Sequence, residues 1–417
     1  MNAGDVAWVL ASAALVLFMT PGLALFYGGM DRTRNVGNMI AMNFWCLLAI
    51  PVLWAVFGYS LAQSGDGALI GNLDLAFLRG LGITGEDGGA GLLTVAFLGM
   101  FAVITPALIS GAVAGRMRFA AWMAFSVAWF LLVFVPVFKW VYGGWIADLG
   151  ALDFAGGTAI HVNAGVAALA AVLVLGRRRS RPEHVSAPHS IPLVMLGAGI
   201  LWFGWFGFNA GSALAANGQA LQAFLNTFLA ASAAGLAWVL IEKAQTGHVT
   251  NVGAASGVVA GLVAITPAAG FVAGMSPIVI GGAAGAACYW AVSLKTRLGY
   301  DDAMDVVGVH FAGGLVGSLG VGLLADPAFF GGNFLAGLLL GGGTRLFVAQ
   351  LVGNLGTIAY CFVVTTLILR VLDRAIGVRV AETVEKSGLD LAEHGEQAYV
   401  PEPTGSVEPT MAEAAAS

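Results

Sequence analysis

Two histidines, His161 and His310, are the residues of this chain whose type and spacing most suggest chemistry. The first lies in Asp153-Phe154-Ala155-Gly156-Gly157-Thr158-Ala159-Ile160-His161-Val162-Asn163-Ala164-Gly165, an apolar run that ends at Gly176-Arg177-Arg178-Arg179. The second lies in Asp305-Val306-Val307-Gly308-Val309-His310-Phe311-Ala312-Gly313-Gly314, so both begin a His-x-x-Ala/Gly-Gly pattern a few residues inside a run headed by an aspartate. If the first run is helical from about Asp153, a rise of ~1.5 Å per residue places His161 ~12 Å deeper, near the middle of a ~30 Å hydrocarbon core. An ionisable side chain there is costly unless it lines a cavity or pairs with another polar group. Two imidazoles in contact can share a proton, one nitrogen donating to the other. Such a pair can hydrogen-bond a small neutral amine, or relay a proton, without a permanent buried charge. Two other readings stay open: each ring bonds a backbone carbonyl by itself, or the two hold a metal. Against the metal stands the lack of a nearby Glu, Cys or further His, and His-Glu-x-x-His is absent.

The aspartates sit where a carboxylate caps exposed N–H groups and favours the helix dipole. Capping is the expected role of Asp305; Asp153 could in addition attract an arriving cation. Phe97 and Phe101 are four apart and share a helix face. Trp202-Phe203-Gly204-Trp205-Phe206-Gly207-Phe208-Asn209-Ala210-Gly211-Ser212 places aromatic rings and a hydroxyl at a glycine-loosened helix end. Aromatic faces attract a small cation and a hydroxyl accepts its N–H bonds; a belt of interfacial aromatics is the competing explanation.

These residues need a membrane scaffold, and the composition supplies one. With 417 residues, 59% hydrophobic, 10% charged and a mean hydropathy of +0.87, the chain reads as an all-α polytopic membrane protein. Runs of spanning length occur at about Trp8 to Tyr27, 37–60, 91–113, 119–141, 154–176, 191–210, 220–241, 250–267, 275–294, 303–325 and 345–371, eleven in all. No basic n-region precedes the first, which reads as a retained span. With the N-terminus outside, every one of the 18 lysines and arginines except Arg79, Lys139 and Arg345 falls inside, which places the C-terminus in the cytoplasm.

The outer loop from about Leu61 to Ala90 carries Asp66, Asp74, Glu86 and Asp87 and reads as a solvated loop. Residues 1–372 form the transmembrane domain and 373–417 a charged cytoplasmic tail whose Pro/Glu/Ala-rich end reads as disordered. Spans 1 to 5 and 6 to 10 form two halves, necessarily inverted because each has an odd number of spans, plus a last helix. Ile104-Thr105-Pro106-Ala107 is echoed by Ile265-Thr266-Pro267-Ala268, and Gly281/Gly285 and Gly313/Gly317 are spaced for close helix approach. Cys46, Cys288 and Cys361 are too scattered for a disulfide framework or zinc site. No basic tract suits nucleic acid.

The segments around Asp153, His161 and Gly176-Arg177-Arg178, together with Trp205 to Ser212 and Asp301-Asp302-Ala303-Met304-Asp305 with His310, resemble the ammonium transporter (Amt/Mep/Rh) family. The resemblance implies a homotrimer in the plasma (inner) membrane, one pore per subunit, conducting ammonium or ammonia, with no enzymatic activity and no cofactor. It implies that His161 and His310 are a pore histidine pair, and that Phe101 and Phe208 form a stacked gate. Phe101 and Ser212 would line an outer recruitment site with Asp153 behind it. Phe97, Trp205 and Asp305 would be supporting residues. The family usually has Trp and three glycines before this aspartate, whereas this chain has Tyr142-Gly143-Gly144-Trp145. Tyr142 is expected to take the tryptophan's place, with Trp145 the alternative. The resemblance also implies a PII-type signalling protein as candidate partner at the cytoplasmic face. An ammonium sensor signalling through its tail is the rival reading, ranked second because no output domain follows the last span.

Overall fold

A computed structural model describes residues 2–84, 89–179 and 187–399; Glu86 and Asp87 of the acidic loop, Arg181 and the end after Tyr399 lie outside the described residues. Among these, ten helices are long and apolar enough to cross a bilayer. They are α1 (Ala3–Met30), α2 (Val36–Gln63), α3 (Ala90–Val113), α4 (Phe119–Asp148), α5 (Gly157–Leu175), α6 (Ile191–Ala213), α7 (Gly218–Thr246), α9 (Ser276–Leu298), α10 (Val307–Leu324) and α11 (Arg345–Ile376). The eleventh expected span is the apolar helix α8 (Asn251–Ile265), whose 15 residues reach only ~22 Å. The fold is an all-helical membrane bundle, α1 to α11, among the described residues.

The repeated Ile-Thr-Pro-Ala motif ends differently in its two copies. In both copies the threonine hydroxyl back-bonds to the carbonyl four residues earlier, Thr105 Oγ1 to Phe101 O at 2.6 Å and Thr266 Oγ1 to Leu262 O at 2.8 Å. Proline removes a donor from either helix. Helix α3 nevertheless continues through Pro106 to Val113, whereas α8 ends before Pro267. The Pro267 carbonyl beyond that break accepts the N–H of Phe154 at 3.1 Å, so the broken end buttresses the loop that carries Asp153.

Small residues let the helices meet backbone to backbone. A Cβ on Gly197 of α6 would lie 2.3 Å from Phe26 N on α1, and one on Gly281 or Gly285 of α9 would lie 2.3 Å from the Ala230 or Ala234 carbonyl of α7. Helices α5 and α10 approach in the same way, since a Cβ on Gly165 would lie 2.4 Å from Phe311 N. Both of these helices begin with a π-helical turn, Gly157–Val162 and Val307–Phe311. Such turns mark sites where local geometry is bent to a purpose.

After α11 the chain folds back onto the end of the bundle rich in arginine. Met117 and Arg379 form an antiparallel bridge, with Val380 N donating to Arg116 O at 2.9 Å and Arg118 N to Val378 O at 3.0 Å. The Asp390 carboxylate accepts the N–H groups of Gly37 and Asn38 at 3.0 and 2.8 Å, and Glu393 accepts Phe119 N at 2.9 Å. Tail carboxylates thus cap the first turns of α2 and α4, where the helix dipole favours negative charge.

The glycine contacts yield a direct expectation. A Cβ on Gly317 of α10 would sit 1.9 Å from the Ala264 carbonyl, while one on Gly282 meets nothing within 4 Å. Gly317→Ala should cost about 1–3 kcal/mol through overpacking and lower the thermal unfolding midpoint in detergent. Gly282→Ala should leave that midpoint unchanged or slightly raised.

Candidate functional site

The π-turns at the heads of α5 and α10 bring the two histidines together. Nδ1 of His161 and Nδ1 of His310 are 3.3 Å apart, the ring planes are 18° apart, and both side chains are buried. A contact between two Nδ1 atoms can be a hydrogen bond only if one carries the proton and the other does not. In the neutral pair the rings are therefore opposite tautomers. One turns an Nε2–H donor towards its surroundings and the other an Nε2 lone pair. His161 Nε2 has no hydrogen-bond partner among the described residues. The expected alternative, in which each ring bonds a backbone carbonyl, is absent among the hydrogen bonds of the described residues.

Aromatic rings extend from this pair in a continuous column. Phe208 of α6 lies 6.0 Å from His161 between ring centroids, Phe101 of α3 lies 4.4 Å from Phe208, and Phe97 lies 4.9 Å from Phe101. Trp205 stacks on His161 at 5.4 Å and 20°, and its indole N–H donates to Thr266 Oγ1 at 2.8 Å. Helical spacing sets this order: Phe97 and Phe101 are one turn apart on α3, Trp205 and Phe208 nearly one turn apart on α6. Four residues beyond Phe208, the Ser212 hydroxyl donates to the Phe208 carbonyl at 2.8 Å. Its lone pairs stay available to accept from a donor.

Asp153 caps α5. Its Oδ1 accepts from Gly156 N and Gly157 N at 2.8 and 2.7 Å, and its Oδ2 from Thr158 N and Ala159 N at 2.8 and 3.1 Å. The loop can close this tightly because Gly156 adopts φ +112°, open only to glycine at low cost. Four backbone bonds occupy the acceptor sites of the carboxylate, which leaves it poorly placed to be a direct ligand of a cation. Tyr142 is half-buried with its ring 4.6 Å from Phe138. Trp145 instead packs against Trp140 at 5.7 Å and against α11, where a Cβ on Gly356 would lie 2.6 Å from its ring.

The capping role expected of Asp305 belongs to Asp302, whose Oδ2 accepts Val307 N at 2.7 Å at the head of α10. Asp305 is held in the left-handed region at φ 60° and ion-pairs with Lys295. Burial, reinforced by the neighbouring Asp305 charge, raises the Asp302 carboxyl above the usual carboxylate range. At Asp301 burial also acts upwards, but the hydrogen bonds and charge of Arg178 and the charge of Arg116 outweigh it and hold the carboxyl below the usual range. Arg178 meets Asp301 through two bonds of 3.0 and 2.8 Å, and the fully buried Arg116 donates to the Gly176 carbonyl at 2.9 Å. Arg116 and Arg178 are thus turned inward onto helix C-termini and a carboxylate.

Sequence reasoning missed Asp302 because three aspartates within five residues are equally good cap candidates until the turn is known. It also missed Gln350 and Asn354 of α11, whose side chains reach the Asp153 loop. Their signal was a pair of amides four apart in an otherwise apolar run, placed on one face.

The model of the Ammonium Transporter Family matches residues 7–399. Among curated relatives, an ammonium transporter of Mycobacterium tuberculosis is 47% identical over 431 residues, covering 95% of this chain and 90% of its own length. The ammonium transporter Amt1 of Archaeoglobus fulgidus is 44% identical, covering 96% and 100%. Of the solved structures, Candida albicans Mep2 superposes with a TM-score of 0.84 at 34% identity, covering 99% of this chain and 94% of its own. One described as a sensor Amt protein superposes with a TM-score of 0.87 at 27% identity, covering 94% and 98%.

Proposed function

The chain belongs to the ammonium transporter family, and from that premise we propose that it recruits ammonium at an outer aromatic site and conducts ammonia past the histidine pair. The observation that carries this reading is the 3.3 Å Nδ1–Nδ1 contact at the foot of the ring column. Ammonium is drawn to the faces of Phe101 and Tyr142 and to the Ser212 hydroxyl, with the field of Asp153 behind them. A desolvated cation–π contact contributes up to about 2 kcal/mol. The column beyond, formed by Phe101, Phe208 and Trp205, offers a cation no carboxylate, and a bare charge there costs several kcal/mol. Ammonium therefore gives up a proton to water at the outer side of the Phe101–Phe208 gate, and ammonia goes on, with or without that proton following separately. Its lone pair takes the Nε2–H of one histidine and its N–H groups meet the Nε2 lone pair of the other. We place the pore in a homotrimer in the plasma membrane, N-terminus outside, on family membership and the distribution of lysine and arginine.

The test is uptake of labelled methylammonium into vesicles containing the purified protein. Replacing His161 or His310 with Ala should abolish conduction or open the pore to potassium while the protein stays inserted. Two single variants that transport like the parent and still exclude potassium would reduce the pair to a structural contact. Trp145 is engaged by Trp140 and α11, which favours Tyr142 as the recruiting ring. Tyr142→Ala should accordingly raise the half-saturating concentration more than Trp145→Ala, and the reverse ranking assigns the site to Trp145.

The likeness to a sensor Amt protein and the docked tail support a second role, in which the cytoplasmic face is read by a partner. A trimeric PII-type protein fits a threefold face because every contact is made three times. Truncation after Asp373 removes the Asp390 and Glu393 caps of α2 and α4. Uptake and PII co-purification should both fall at matched membrane abundance. A truncated chain that conducts and binds PII normally would make the tail a passive extension.

A further inference from the structure

Gln350 of α11 is buried and its side-chain amide is fully used. Its Oε1 accepts Leu152 N at 2.9 Å, and its Nε2 donates to Leu152 O at 2.8 Å and to Ser318 O at 3.0 Å. Leu152 lies outside any helix, directly before Asp153, so its backbone bonds go to this side chain and not to a neighbouring turn. One turn further along α11, Asn354 donates to Ser318 Oγ at 2.6 Å, and its Oδ1 accepts from Thr158 Oγ1 at 3.2 Å. The N–H of Thr158 is itself one of the four that hold the Asp153 carboxylate. Helix α11 thus grips the loop before and after Asp153. Leu152, Asp153, Thr158, Gln350 and Asn354 line one small cavity.

We propose that Gln350 is a positioning residue for ammonium recruitment: by clamping both backbone groups of Leu152 it fixes where the Asp153 carboxylate projects its field, with Asn354 holding the other flank through Thr158. The inference rests on Asp153 serving the recruitment site. A carboxylate whose four acceptor sites are taken by backbone acts only at a distance, so its effect depends on where the loop stands. The loop from Leu149 to Gly156 has little regular structure to place it. An amide that matches a peptide group with both donor and acceptor supplies that placement, as an adjoining strand would.

The experiment measures methylammonium uptake by the full chain in vesicles, as half-saturating concentration and maximal rate, for Gln350→Met, Asp153→Asn and the double variant. Methionine keeps the length and apolar contacts of glutamine and removes its hydrogen bonds. Gln350→Met is expected to raise the half-saturating concentration about tenfold, to leave the maximal rate and potassium exclusion close to parental, and to add nothing in the Asp153→Asn background. If Gln350→Met does not insert, Gln350→Asn, which keeps the amide but withdraws it from Leu152 by one methylene, takes its place with a smaller expected shift. A raised half-saturation in Asp153→Asn with none in the Gln350 variant overturns the positioning role and leaves the recruitment site standing. No shift in either variant overturns the role of Asp153 itself. Equal, additive losses of rate and affinity in both backgrounds overturn the proposal in favour of plain packing.

Discussion

An imidazole in the apolar interior of a membrane bundle has no water to bond, and the backbone around it is committed to its helices. His161 and His310 resolve this by bonding each other, and much of the structure follows from bringing their Nδ1 atoms to 3.3 Å. Helices α5 and α10 must approach more closely than side chains allow, which is why Gly165 faces the Phe311 backbone and Gly314 faces Val162 N. The π-turns at Gly157–Val162 and Val307–Phe311 rotate each histidine out of the ordinary helical register. The aromatic column then covers the pair, and Trp205 can stack on His161 because Thr266 takes its indole proton.

The second constraint is at the helix ends, where unpaired N–H and C=O groups meet the membrane boundary. Carboxylates take the N-terminal groups: Asp153 for α5, Asp302 for α10, and Asp390 and Glu393 of the tail for α2 and α4. Arginines take the C-terminal ones, Arg116 at Ala112 and Gly176 and Arg379 at Leu175. Arginines at one end of the bundle therefore finish its helices. Because each histidine sits within about one turn of its helix start, Asp153 and Asp302 neutralise the positive helix ends that would otherwise face the histidine pair.

Helix α11 joins these two levels. Near its start Gln350 and Asn354 hold the Asp153 loop, and beyond its end Arg379 and Glu385 form an ion pair of 2.8 Å against the arginine-rich face. A single helix, Arg345–Ile376, thus touches the loop that carries Asp153 and leads into the tail.

The membrane class, the apolar runs that become ten spanning helices, the paired histidine segments and the cap at Asp153 were legible in the sequence. Each rests on local chemistry: an apolar run of spanning length admits only a helix, and an aspartate three residues before exposed N–H groups caps them. The motif Ile-Thr-Pro-Ala was legible as a repeat, but not that α3 would run through its proline while α8 stopped. That depends on a distant partner, Phe154 N, for the Pro267 carbonyl. Which of Asp301, Asp302 and Asp305 caps α10 was decided by the turn at φ 60° and by Lys295 on another helix. The tail read as a charged extension, because composition records charge and not the helix starts that Asp390 and Glu393 reach across more than 250 residues of chain. The meeting of Gln350 with Leu152 likewise joins segments 198 residues apart. Only the packing of α11 against the loop before α5 brings an amide to the two backbone groups it satisfies.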